Sequence, residues 1–167
     1  MSPAPTRPER ILNLGGGGQS TTMALMADRG ELAAGRPDLA IYADTGWDPD
    51  STRATVAWIQ SMVSYPVETV QHRDLRNDLV TGRDRDGVAT GFEPIPAYVR
   101  KADGRVSISK RQCTTNYKIW PIQRRIRQLW GVNRMPAHAH VETWLGISLD
   151  EVGRMKTATK HLSLIHI

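Results

Sequence analysis

Four consecutive glycines, Gly15 to Gly18, separate a short apolar run, Ile11 to Leu14, from the hydroxyl residues Ser20, Thr21 and Thr22. Behind them Met23-Ala-Leu-Met-Ala reads as helix, so the stretch spells strand, loop, helix. Glycine has no Cβ, and the backbone N–H groups of such a loop can turn inward and close on an anion that a larger side chain would keep away. Ser20, Thr21 and Thr22 stand where the helix begins, so their hydroxyls join the first-turn N–H groups at the positive end of the helix dipole. A phosphate fits this arrangement. The nucleotide-triphosphate loop needs a Lys after the glycines and none follows; the dinucleotide fingerprint needs a third glycine where Ser20 stands. What remains is small-Gly-Gly-x-polar-Ser, filled by Gly15, Gly16, Gly17, Gly18, Gln19 and Ser20.

A chain of 167 residues is one ordinary domain with room for a core, and 40% hydrophobic with 23% charged residues is a globular balance. The net charge of +5 suits an anionic partner, nucleotide or nucleic acid, without choosing between them. One cysteine excludes an internal disulfide, and nothing marks secretion. Residues 1–10 are Pro-rich and polar, so they read as a loose tail and not as a signal peptide. No run approaches a membrane span, and the cytoplasm is the expected location.

In chain order, Ile11 to Leu14 reads as a buried strand, Ser20 to Arg29 as its helix ending near Gly30, and Leu39 to Ala43 as a second strand. Asp44-Thr45-Gly46 stands at that strand's carboxyl end. Asp48, Pro49, Asp50 and Ser51 supply helix-start chemistry for an amphipathic segment with apolar positions Val56, Trp58, Ile59, Met62 and Val63. Pro66 to Val70 reads as a third strand. Strands alternating with helices at this spacing imply an α/β domain over 11–160, a Rossmann-like parallel sheet sandwiched between helices. Both polar loops then fall at the carboxyl ends of strands, where such sheets bind ligands.

From His72 to Arg111 the periodicity loosens, and two readings stand: solvated charge-rich surface, or a flap over the ligand. Cys113-Thr-Thr-Asn-Tyr-Lys-Ile-Trp-Pro-Ile then opens a basic helix, Gln123 to Trp130. Ile119, Ile122, Ile126 and Leu129 repeat at three and four, which packs one face and projects Arg124, Arg125 and Arg127 away, where they offer nucleic acid a phosphate-binding stripe. Trp120 and Trp130 read as packing residues. Val141 to Ile147 is a fourth strand. His72, His138 and His140 have no evident third ligand, and no metal site is assigned to them. The last residues, 161–167, form an apolar tail without turn or cap, read as an atypical, truncated terminus.

Taken together, the glycine loop ending in Ser20, the strand ending in Asp44-Thr45-Gly46, the Cys113 to Ile122 segment and the Gly146 to Arg154 segment resemble, in content and order, the phosphoadenosine phosphosulfate reductase family. That family is part of the adenine nucleotide alpha-hydrolase-like group, with ATP pyrophosphatases as cousins, and the resemblance spans roughly Ile11 to Arg154. It implies a HUP-type sheet and a pyrophosphate loop, Gly15 to Ser20, that holds the phosphates or the sulfate-bearing phosphate of an adenine nucleotide. It further implies a loop flanking the nucleotide at Asp44, Thr45 and Gly46, and contacts from Lys118, Gly146, Ile147 and Arg154, with Lys118 and Asp44 as the catalytic candidates.

The implied ligands are adenylyl sulfate, its 3′-phosphate form, or ATP with Mg, for which Asp44 is the one carboxylate at hand. Thr114 stands in place of the paired-cysteine motif's second cysteine, Ser148 in place of the arginine of the Gly-Ile-Arg segment, and Gln19 where pyrophosphatases carry Asp. With a single cysteine, no iron-sulfur cluster is expected from this chain alone. The implied function is a nucleotide-binding protein acting at the phosphate or sulfate end, by sulfonucleotide reduction. The alternatives are ATP α–β cleavage that adenylates a second substrate, and a non-catalytic module binding nucleotide or nucleic acid.

Overall fold

A computed structural model of the chain describes residues 4–82, 84–85, 88–89, 98–108, 113–137, 139–148 and 162–165. In chain order the elements are β1 (Arg10–Asn13), α1 (Gly18–Asp28), β2 (Leu39–Ala43), α2 (Asp50–Met62), β3 (Val67–Val70), α3 (Leu75–Val80), β4 (Asp84–Arg85), β5 (Val88–Ala89), β6 (Tyr98–Arg100) and β7 (Val106–Ile108). A π-helical turn (Thr115–Ile119) runs directly into α4 (Trp120–Leu129), followed by β8 (Val141–Leu145) and β9 (Leu162–Ile165).

The main sheet has the order β3-β2-β1-β8-β9, and every pairing in it is parallel. Alternation along the strands makes two cores. Leu12, Ala40, Tyr42, Val67 and Trp144 face Met23, Ala24 and Ala27 of α1 and Val56 and Ile59 of α2. Ile11, Leu39, Ile41 and Val141 face Ile122, Ile126 and Leu129 of α4. A parallel sheet covered on both faces must be apolar on both, which is why β2 is buried at all five positions. The α/β class expected from the strand-helix alternation is therefore the observed one.

The order also fixes the ligand rim. From β1 the chain moves outward through β2 to β3, then returns to lay β8 on the other side of β1. The carboxyl ends of β1 and β8 thus flank the point where strand order reverses, the crevice in which open α/β sheets take their ligands.

Several sequence expectations need correction. Residues 4–9 are docked and not loose: Ala4 packs against the α4 core, the Arg7 N–H reaches Leu129 O at 3.3 Å, and Trp130 Nε1 donates to Pro8 O at 3.0 Å. Of the amphipathic positions of α2, Val56 and Ile59 are buried but Trp58 and Met62 are exposed, because the helix shows only a narrow face to the sheet. Ile119 and Trp120 are exposed as well; the π-helical turn shifts them off the face that Ile122 and Ile126 present. Between His72 and Arg111 the chain forms α3 and two small antiparallel pairs, β4 with β5 and β6 with β7. Leu162–Ile165 pairs with β8 along Val141 to Trp144. No described helix is long and apolar enough to cross a membrane.

Candidate functional site

The glycine loop is held by its neighbours and not by its own flexibility. Gly16 has φ +70°, and a Cβ there would lie 2.6 Å from the Thr52 side chain, so the loop lies directly on the first turns of α2. Ser20 is buried and staples the loop: its Oγ accepts from the Gly15 N–H at 3.1 Å and donates to Gly17 O at 3.2 Å. Its hydroxyl is therefore not the outward donor expected from its place at the helix start. The N–H groups of Gly18, Gln19 and Ser20 make no hydrogen bond with another described residue, whereas that of Thr21 is taken by Gly17 O.

Gly146 closes the other wall. A Cβ on it would stand 2.6 Å from Ser20 N and 2.7 Å from the Gln19 carbonyl carbon, so the exit of β8 runs against the start of α1 with no room for a side chain. The result is a cleft of about 560 Å³ with Gly18, Gln19, Thr22 and Met23 on one side and Gly146, Ile147 and Ser148 on the other. Outward at Gly17 and Gly18 the space is open: a Cβ on Gly17 would meet nothing nearer than Gln19 Oε1 at 3.8 Å, and one on Gly18 nothing within 4 Å. The hydroxyls of Thr21 and Ser148 are buried without a hydrogen-bond partner among the described residues.

Asp44, Thr45 and Gly46 form a second cluster, one strand over. Asp44 Oδ1 accepts from the Gly46 N–H at 2.8 Å, and Asp44 Oδ2 accepts from Arg53 Nε at 3.2 Å. Gly46 has φ +78° and lies against Asp74, with a Cβ there only 2.7 Å from Asp74 Cγ. Asp74 in turn caps α3 by accepting from the Asn77 N–H.

Asp48 is the residue that sequence reasoning missed. Instead of capping α2, which begins after Pro49 without a side-chain cap, Asp48 turns back into the loop. Its Oδ2 accepts from the Thr45 N–H, the Thr45 hydroxyl and the Tyr42 hydroxyl, each at 3.0 Å, and Lys118 Nζ stands 3.7 Å from its Oδ1. Burial alone would push this carboxyl up. The Thr45 N–H, the Lys118 ammonium and the two hydroxyls overcome that effect and hold it below the ordinary 3.8. The same contacts act on Tyr42, whose phenol is raised by burial and by Asp48.

A depressed folded-state value means that ionised Asp48 contributes stability above the unfolded value and loses it as pH falls through the folded one. Wild type is therefore expected to lose urea resistance below about pH 3.8, the ordinary Asp value. Asp48→Asn, starting about 2 kcal/mol weaker for loss of charged hydrogen bonds, should decline less over that range. Parallel curves in urea titrations across pH would show that Asp48 is not the group responsible.

The structure thus groups the site residues in two clusters. Of the first, Gly18, Gln19, Gly146 and Ile147 line the cleft, while Gly15, Gly16, Gly17 and Ser20 form the loop beside it without lining it; Asp44, Thr45, Gly46 and Lys118 gather about Asp48 and do not line it either. The first turns of α2 join the clusters, with Thr52 under Gly16 and Arg53 on Asp44. Arg154 and His138 lie outside the described residues, as do Asp150 and Glu151. Both oxygens of Asp44 are engaged, and no group of three metal-ligating side chains occurs among the described residues.

On the opposite face the basic helix is partly neutralised. Arg125 does not project away but binds Glu68 of β3 through two bonds, at 2.7 and 2.8 Å, while Arg124 Nη1 lies 3.4 Å from His72 Nδ1. A larger hollow of about 720 Å³ opens there, along β3 from Val67 to His72. No family model, curated protein or solved structure matches the chain.

Proposed function

We propose that the chain is an adenine-nucleotide-binding protein of HUP type, similar to the phosphoadenosine phosphosulfate reductases, that acts at the phosphate or sulfate end of its ligand. One observation carries the reading: at the β1/β8 switch point, Gly146 lies against the start of α1, and the N–H groups of Gly18 and Gln19, which have no acceptor among the described residues, stand beside an open cleft. Such donors, fixed in advance and backed by a helix dipole, suit a phosphate or sulfate oxygen. Lys118, placed by Asp48, and Arg53, held by Asp44, supply cations beside the second loop, and Asp44 also accepts from the Gly46 amide. With both Asp44 oxygens engaged, these residues do not form a magnesium site of their own, and magnesium enters the reading only as the ion carried by ATP.

The test is thermal unfolding with ATP plus Mg, AMP, adenylyl sulfate and its 3′-phosphate form, each offered separately. A ligand at ~100 times its dissociation constant stabilises by roughly 2.7 kcal/mol, and for a chain of this size that raises the midpoint by roughly 5 to 10 °C. Response to a sulfonucleotide alone supports reductase-like chemistry; response to ATP with Mg alone supports the adenylating alternative.

Gly17→Val sharpens the experiment. The φ of −88° at Gly17 suits any residue, so the variant is expected to fold, while its side chain enters the open space at the loop and removes at least ~1.4 kcal/mol of binding, a tenfold loss. Unchanged shifts in Gly17→Val would place the ligand elsewhere.

A further inference from the structure

The far edge of the sheet, remote from the nucleotide cleft, carries a second feature. Among the described residues β3 is the outermost strand on its side, paired only with β2. The Ala40 N–H bonds to Pro66 O and the Asp44 N–H to Val70 O, so alternation turns the backbone groups of residues 66, 68 and 70 toward β2 and those of Val67, Thr69 and Gln71 outward. Gln60 Nε2 occupies Val67 O at 3.0 Å. The N–H and C=O groups of Thr69 and Gln71 make no hydrogen bond with a described residue, and both residues are exposed.

This edge forms the floor of the 720 Å³ hollow, walled by Gln60 of α2 on one side and by Pro121, Arg124 and Gln128 of α4 on the other. Among its cations, Arg125 is neutralised by Glu68, but among the described residues exposed Arg124 has only the His72 ring beside it. An imidazole carries no negative charge in either protonation state, so His72 does not neutralise that guanidinium.

We propose that this groove takes an extended acidic peptide segment, which adds a strand to β3 through Thr69 and Gln71 and sets a carboxylate against Arg124. Unpaired edge groups supply the ladder, the two helices supply walls that admit one strand, and the unanswered guanidinium sets the sign of the occupant's side chain. The chain's charge of +5 favours the same sign at longer range. A second copy of this chain would bring a like-charged Arg124 into the groove.

The test uses the full chain, isotope-labelled for amide resonances, titrated with acetyl-Val-Asp-Val-Glu-Val-Thr-amide and with the same peptide carrying Lys at both acidic positions. The acidic peptide is expected to shift Thr69 and Gln71 saturably and to bind at least ~5-fold more tightly than its Lys counterpart. Thr69→Pro removes one outward N–H, leaves the bonds to β2 in place, and should weaken binding about tenfold. Arg124→Glu should reverse the preference between the two peptides, and it keeps the test decisive if the proline variant does not fold. Absence of saturable binding, equal binding of both peptides, or indifference to both substitutions would overturn the proposal. So would a dimer in sedimentation that Thr69→Pro dissociates, which would make the occupant a second copy.

Discussion

Replacing Gly146 by valine is expected to cost the fold about 3 kcal/mol and to abolish the proposed nucleotide binding together with it. Ordinary overpacking costs ~1 to 3 kcal/mol because neighbours shift into other rotamers. Here the colliding atoms are Ser20 N, the Gln19 carbonyl carbon and Ser20 Cα, all within 2.9 Å of the added Cβ, and backbone at the start of a helix has no alternative rotamer. Relief requires α1 to move away from β8, and that movement opens the loop whose spacing defines the cleft. At ~2 to 4 °C per kcal/mol for a chain of this length, the melting midpoint should fall by roughly 6 to 12 °C. Gly18→Ala is the matching control: its Cβ meets nothing within 4 Å, so its midpoint should not fall. Calorimetry on both variants checks the account, and equal midpoints would mean that Gly146 is not packed as described.

Asp78→Ala should destabilise by a similar amount, about 3 kcal/mol, the lower end of what removing one partner of a buried ion pair costs. Asp78 is 4% exposed and receives Arg73 through two bonds, Nε at 2.6 Å and Nη2 at 2.8 Å, while the Tyr117 hydroxyl donates to the same carboxylate. This carboxylate joins α3 to the π-helical turn. Its removal withdraws the acceptor that Arg73 and Tyr117 share, and it loosens the turn on which Lys118 follows Tyr117. Two readouts should therefore change: the chemical-denaturation midpoint falls, and the nucleotide affinity falls even where the protein remains folded. Asp78→Asn keeps an acceptor of the same shape and should recover part of the stability. A midpoint unaltered by Asp78→Ala would show that the contact contributes nothing net.

Much of the frame could be read from the sequence because it rests on local rules. The second strand was expected at Leu39 to Ala43 and lies there, and Gly30 follows the end of α1 with φ +73°, as a helix-terminating glycine does. Strand-helix alternation was enough to place the glycine loop at the end of β1 and Gly146 just past β8. Long-range pairing could not be read. Ser20 looked like an outward donor, but the loop folds back onto its hydroxyl. Asp48 looked like a helix start, yet its partners are Thr45, Tyr42 and Lys118, the last of them 70 residues away. Arg125 lay on the polar side of a helical pattern and found Glu68 across 57 positions.

The short helix Leu75–Val80 escaped notice because one and a half turns carry no periodicity. Its anchors are Asp74 at the cap and Asp78 in the interior. Asp74 had a visible signal, an Asp preceding Leu75 by one residue and Asn77 by three. Arg53 had a weaker one, three residues after Asp50 on the first turns of a helix.

In the proposed function the ligand's phosphate or sulfate end sits on the N–H groups at the start of α1, against Gly146. Amide resonances followed while adenylyl sulfate, and in a separate sample ATP with Mg, is titrated into the labelled protein test this directly. The expected result is saturable movement of Gly17, Gly18, Gln19, Ser20, Gly146 and Ile147, with Thr69 and Gln71 at the far edge unmoved. Saturable shifts confined to other residues, or no shift at millimolar ligand in a folded sample, would contradict it.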